Sequence, residues 1–180
     1  MHRRLEQLLQ YIDNQRAELL AAVDTVPPLD RERRPTPEVW SVAEVLEHLV
    51  IVEQGVGRLI ARRIDKAKDT LPKETETEPL FGSLDRFALL DREHYMEAPD
   101  LVRPTGTLPV EDAVPALFES RLALRAALEM GDGLALGAVS APHVLLGALT
   151  LYEWVLFIGQ HESRHAKQIR DIGASLGTTF

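Results

Sequence analysis

Two histidines, His161 and His165, lie four residues apart in a segment with helical periodicity. Side chains at this spacing project from one face of an α-helix, so both imidazoles can reach a single metal ion. The apolar residues on the same face indicate that it points into the core: Trp154, Ile158, Ile169 and Ile172. Because two buried imidazoles need partners for four ring nitrogens, this placement favours a metal site.

The segment from His161 to His165 also matches the H-E-x-x-H pattern of zinc proteases, with Glu162 in the position of the general base. Those enzymes usually take a third ligand from further downstream, but residues 166–180 contain neither His nor Glu. They also hold peptide substrates along a sheet edge, and no strand pattern is evident. We therefore do not favour a protease, and we expect a third ligand from upstream.

His48 is the best upstream candidate, because it lies at the edge of an apolar stripe on an earlier predicted helix. In a helical bundle that helix can face the one carrying His161 and His165. The other histidines are weaker candidates. We expect His94 to lie at the surface, His143 to serve in a cap or in loop packing, and His2 to be disordered.

Four segments have the periodicity of helices, over about 3–24, 42–64, 110–130 and 146–173. The second has the clearest start, since Ser41 and Glu44 form a capping-box pattern. Between helices two and three lies a long irregular stretch, in which Leu84 to Tyr95 could form a short helix. The expected fold is all-α, a four-helix bundle formed by one domain spanning residues 1–180.

Composition narrows the chemistry further. The 180 residues include no cysteine, which excludes disulfides, thiolate metal ligands and a cysteine nucleophile. The net charge of −8 argues against nucleic acid as the main partner. Residues 133–152 carry no charge, but Pro142 and His143 interrupt them, so we expect no membrane span. No secretory signal is evident, and we expect a cytoplasmic protein.

Three stretches together resemble a known family. They are Trp40-Ser-Val-Ala-Glu-Val-Leu-Glu-His48, the segment from Leu146 to Trp154, and His161-Glu-Ser-Arg-His165-Ala-Lys-Gln168. In their residues and order they resemble the DinB-like (YfiT-like) metalloprotein superfamily, and the resemblance spans nearly the whole chain.

The resemblance implies a bundle with up-down-down-up connectivity, in which the irregular stretch is the crossover between helices two and three. It implies a divalent metal, most often zinc or nickel, held by His48, His161 and His165. It also implies a homodimer. Relatives in this superfamily include bacillithiol and mycothiol S-transferases and a thiol-dependent maleylpyruvate isomerase, and others are described as metal-dependent hydrolases or stress-induced proteins.

Our leading hypothesis is a metal-dependent transferase that adds a low-molecular-weight thiol to a small electrophile. Since the chain has no cysteine, the thiol has to arrive as a cosubstrate. Two alternatives stay open: a hydrolase that activates water at the metal, with Glu162 as its base, and a non-catalytic metal-binding stress-response protein. Gln168 is either an ordinary residue at the solvent edge or a residue that approaches the site or holds a ligand nitrogen.

Overall fold

Four long α-helices form the body of the protein. In the computed structural model, which describes residues 1–78, 80–87 and 97–177, they are α1 (Arg3–Asp24), α2 (Val42–Ala67), α3 (Val110–Glu129) and α4 (Leu151–Gly177). The predicted all-α, four-helix fold is thus confirmed. None of the helices within the described residues has the length and apolar character needed to cross a membrane.

The start of α2 follows from its sequence. The Ser41 side chain accepts a hydrogen bond from the Glu44 amide (3.2 Å), and the Ser41 amide donates to the Glu44 carboxylate (2.9 Å). Together these bonds satisfy amide groups that a helix leaves unpaired at its first turn. The capping box therefore fixes where α2 begins and, with it, the position of His48 two turns later.

The segment before α4 differs from the prediction. Residues 140–150 form an antiparallel hairpin of β1 (Ser140–His143) and β2 (Gly147–Thr150), so α4 begins at Leu151 rather than at residue 146. Strands of four residues are too short to show a clear alternation of apolar and polar residues. Gly147 has a φ of +77°, which a residue without a side chain adopts readily at the end of the turn.

The helices α2 and α3 pack closely along their lengths. Glu53 of α2 contacts Ser120 of α3, and four residues later Gly57 of α2 lies beside Leu124 of α3. Residues later in α2 therefore contact residues later in α3, so the two helices are parallel.

The helices α1 and α4 form the other close pair. Tyr11 of α1 packs against Gly159 of α4, and further along Glu18 forms an ion pair with Arg170. A side chain at Gly159 would collide with the ring of Tyr11, so the glycine allows the two helices to approach. The helices α1 and α4 are therefore also parallel.

The connection from α2 to α3 is mostly irregular. Its described residues include two single-turn 3-10 helices, Asp85–Phe87 and Asp100–Val102. The predicted short helix from Leu84 to Tyr95 falls largely on residues 88–96, which lie outside the described residues. The second 3-10 turn packs against α2 and brings the crossover to His48.

Candidate metal centre

The first histidine of the candidate site is held by α2 and by the crossover. His48 is buried, and its Nδ1 donates a hydrogen bond to the carbonyl oxygen of Val102 (2.6 Å). This bond places the ring proton on Nδ1 and leaves Nε2 with a free lone pair. The Nε2 atom lies 3.2 Å from Nε2 of His161 on α4.

The other two histidines come from consecutive turns of α4. Nε2 of His165 lies 3.1 Å from Nε2 of His161. On its other side, His165 Nδ1 donates to Oε1 of Gln168 (2.7 Å), one turn further along the helix. Gln168 therefore holds a histidine nitrogen, which was one of the two roles expected for it.

The three imidazoles form what we call the histidine cluster: His48, His161 and His165. One ring nitrogen from each lies within 4.8 Å of the others. Tetrahedral zinc with zinc–nitrogen bonds of about 2.05 Å would separate its nitrogens by about 3.3 Å, close to the Nε2 separations in this cluster.

The chemistry of the ring nitrogens also fits a cation. With their Nδ1 protons engaged, His48 and His165 both direct lone pairs at Nε2 of His161. That atom carries at most one proton, so it cannot fully satisfy both neighbours. Three converging nitrogens in a mostly buried site could therefore hold a metal ion.

Burial keeps His48 and His161 in the neutral form that binds metal. Burial lowers the pKa of His48, although the hydrogen bond to Val102 opposes the shift. Burial also holds the pKa of His161 well below its usual value, and the neighbouring His165 and His48 lower it further. Neutral imidazoles do not have to lose a proton before they coordinate a cation near neutral pH.

Aromatic rings flank the histidine cluster. Phe157 stacks on His161, with ring centres 5.1 Å apart and an angle of 19° between the planes. Trp40, just before the capping box, lies with its ring centre 5.2 Å from that of His48. These rings restrict the imidazole orientations and reduce access of water to the site.

Glu162 lies outside the histidine cluster, in a separate buried network. Its carboxylate accepts hydrogen bonds from Arg16 of α1 (2.7 Å) and from Arg121 of α3 (3.0 and 3.1 Å). Both arginines also bind Glu53 of α2, so the network takes one charged residue from each helix. The only visible signal for it in the sequence is Arg16, which interrupts the apolar stripe of α1.

Glu47 anchors the crossover beside His48. Its carboxylate accepts hydrogen bonds from the amides of Thr105 (3.0 Å) and Gly106 (2.8 Å). Gly106 has a φ of +74°, a conformation that glycine adopts without strain. Sequence reasoning missed this contact, because a carboxylate bound to backbone amides leaves no pattern of residue types.

The remaining histidines are outside the histidine cluster. His143 ends β1 and packs its ring on Trp154 and Phe157, in agreement with the expected loop-packing role. His2, which we expected to be disordered, instead caps α1 by accepting a hydrogen bond from the amide of Arg4 (3.4 Å). The predicted surface position of His94 lies outside the described residues.

The protein is a four-helix bundle in which three histidines converge from two helices. The chain belongs to the DinB superfamily, whose family model matches residues 11–169. Among curated proteins, the uncharacterized protein YuaE of Bacillus subtilis (strain 168) is 28% identical over 144 residues, which cover 78% of this chain and 81% of YuaE. No solved structure gives a significant match. Family membership and the histidine cluster together indicate metal binding.

Proposed function

We propose that this protein is a metal-dependent transferase that adds a low-molecular-weight thiol, of the bacillithiol or mycothiol type, to small electrophiles. The observation that carries the proposal is the convergence of three imidazole nitrogens, two of which belong to rings fixed from behind by Val102 and Gln168. The absence of cysteine from the chain requires that the reactive sulfur be supplied by a cosubstrate.

Zinc or nickel bound by His48, His161 and His165 would leave a coordination position open to an exogenous ligand and would lower the pKa of a thiol bound there. The residues of the chain prepare that position. The Val102 carbonyl orients the His48 ring and Gln168 orients the His165 ring. Because both rings are already ordered, binding the metal costs less conformational entropy. Phe157 and Trp40 shield the rings from water.

The placement of Glu162 supports thiol transfer over hydrolysis. A hydrolase benefits from a base that removes a proton from the attacking water, and Glu162 was the residue expected in that role. Burial raises the pKa of Glu162, but both oxygens of its carboxylate already accept hydrogen bonds from guanidinium groups, which compete with a proton from water. The histidine cluster, as far as the described residues define it, contains no carboxylate. A thiol, once ionised, needs no base to react.

The test uses protein stripped of metal and reloaded with Zn²⁺ or Ni²⁺. Loaded protein is mixed with monochlorobimane and each of a panel of thiols: bacillithiol, mycothiol, glutathione, coenzyme A and cysteine. We expect fluorescent conjugate to form faster than in the absence of protein for at least one thiol, and only in the metal-loaded form. Wild-type protein that binds metal but accelerates no conjugation would contradict the proposal.

Two variants make this test specific to the site. His161→Ala removes the central nitrogen of the cluster and should abolish both metal retention and conjugation. His2→Ala is the matched control, because it removes a histidine from the start of α1 and should keep both. If His161→Ala still accelerates conjugation, the reaction does not take place at the histidine cluster.

A further inference from the structure

His143 has one ring nitrogen engaged by its own hairpin. Its Nδ1 accepts hydrogen bonds from the amides of Leu145 (3.1 Å) and Leu146 (3.2 Å). A nitrogen that accepts two amide protons carries none of its own, so the neutral ring has its proton on Nε2. The turn of the hairpin therefore makes His143 a donor at Nε2.

That donor lies one ring away from the histidine cluster. The His143 ring centre is 4.7 Å from that of Phe157, and Phe157 also stacks on His161, at 5.1 Å. Trp154 contacts His143 as well, at 5.0 Å. His143 is half-buried, and no hydrogen bond to its Nε2 is formed by the part of the chain that the structure describes.

We propose that His143, with the ring of Phe157 beside it, binds the electrophilic substrate next to the metal centre by donating a hydrogen bond from Nε2 to an oxygen of that substrate. This inference rests on the proposed function, and it adds a substrate class to it. His143 acts through binding and orientation.

The surroundings of the donor define the ligand chemistry. Trp154 and Phe157 are buried and pack against the His143 ring, and the hairpin tip adds the exposed apolar side chains of Val144 and Leu145. The neutral Nε2–H of His143, with apolar side chains around it, favours a ligand with a neutral acceptor. An anion bound there would lose its hydration without gaining a counter-charge. A small conjugated ketone or aldehyde, with an acceptor oxygen and an apolar body, has these properties.

Imidazole nitrogen spectra test this binding directly and do not depend on turnover. Long-range proton–nitrogen spectra of the zinc-loaded protein report which nitrogen of each ring is protonated. We expect His143 as the Nε2–H tautomer, with a signal that shifts saturably on titration with 2-butanone. The matched ligand 2-methyl-1-butene has the same shape without the oxygen and should leave that signal unchanged. An Nδ1–H tautomer, or an equal response to both ligands, would overturn the proposal.

Two substitutions of His143 distinguish the effect of losing the Nε2 donor from the effect of disturbing the hairpin. His143→Asn keeps an acceptor near the position of Nδ1 and removes the donor at Nε2, whereas His143→Gln restores an amide donor near Nε2. In the thiol assay we expect His143→Asn to raise KM for methyl vinyl ketone about three- to tenfold, the worth of one neutral hydrogen bond. His143→Gln should recover most of this loss.

Benzyl chloride, an electrophile without an acceptor oxygen, is the control substrate. Its kcat/KM should be the same in wild type and in both variants, with metal content unchanged. An equal loss for both electrophiles, or no loss for either, would contradict a donor role for His143. If the wild-type protein conjugates no thiol at all, the proposed function fails, and the nitrogen spectra still decide whether His143 binds an acceptor.

Discussion

At the scale of single residues, two of the three imidazoles are held by a further group, since His48 donates to the Val102 carbonyl and His165 donates to Gln168. The spacing of His161 and His165 identified two of the three histidines from sequence, and the apolar stripe of α2 identified His48. The carbonyl of Val102 could not be predicted, because a backbone oxygen leaves no trace in residue types. Residue patterns thus predict the nitrogens that converge, and the structure adds what holds them.

Gln168 provides a prediction about that support. Gln168→Met keeps the length of the side chain but removes the oxygen that accepts from His165 Nδ1. Loss of such a partner typically weakens metal binding about 10- to 100-fold, so we expect a tenfold or greater rise in the Kd for Zn²⁺. Competition titration with a chromophoric chelator measures it. Gln54→Met, an exposed position on α2, is the control and should leave the Kd unchanged.

Glu162 provides a second prediction, which distinguishes a role in stabilising the fold from a role as general base. Glu162→Gln leaves Arg16 and Arg121 short of one buried counter-charge, which costs about 3 kcal/mol of unfolding free energy. Urea denaturation should show this loss, whereas Glu119→Gln at the surface of α3 should change little. Unchanged stability of Glu162→Gln together with loss of activity would instead favour the role of base.

At the scale of elements, boundaries were predictable where a local signal exists. Residues 3–24 form α1 as expected, and the capping box gave the start of α2, since both depend on neighbours in sequence. The hairpin of residues 140–150 was missed, because it depends on packing of Ala141 and Leu149 into the core rather than on a periodic pattern. The same packing sets His143 beside the site.

The first turn of α2 should make stability depend on pH. Burial alone would raise the pKa of Glu44, but hydrogen bonds from Arg34 and Ser41 outweigh it and lower the pKa. Because the pKa of Glu44 is lower in the folded state than in the unfolded state, its ionised carboxylate stabilises the protein at neutral pH. This contribution is lost as the pH falls through the pKa of the folded state.

Denaturation between neutral and acid pH measures this effect. Wild-type stability should fall more steeply on acidification than that of Glu44→Gln, which has no group to titrate at this position. Glu38→Gln, an exposed carboxylate in the preceding loop, is the control. Parallel pH profiles for wild type and Glu44→Gln would show that the capping box contributes no pH dependence.

At the scale of the whole molecule, the outer side of α3 carries exposed apolar side chains. Phe118 (51%) and Leu122 (67%) are one turn apart and lie next to each other on this side, and Met130 (56%) follows directly after the helix. A contiguous apolar stripe on a helix commonly marks an association surface. We expect the homodimer implied by the family to form here.

Charge supports a second copy as the partner of this face. Arg58 and Arg62 of α2 and Glu111 and Glu119 of α3 are exposed, and none of them forms an ion pair with another described residue. In a two-fold dimer that sets α2 of one copy against α3 of the other, basic and acidic side chains meet twice. Such a dimer would make the face complementary to itself.

Sedimentation velocity tests the predicted dimer. Leu122→Asp should shift the protein to monomer, and Leu29→Asp, which is 91% exposed outside this face, should not. A chain with Arg58→Glu and Arg62→Glu should be monomeric alone, as should one with Glu111→Lys and Glu119→Lys. Mixing the two chains should restore a dimer, because opposite charges then meet at both contacts. Wild-type protein that is monomeric throughout would contradict the prediction.

X-ray absorption at the zinc K-edge reports whether His48, His161 and His165 together hold the metal. Protein loaded with one equivalent of Zn²⁺ should show nearest neighbours at about 2.0–2.1 Å, with the outer-shell scattering of three imidazole rings. That ring scattering should be lost in His161→Ala. A zinc environment of oxygen neighbours alone, or one that His161→Ala leaves unchanged, would show that the histidine cluster does not hold the metal.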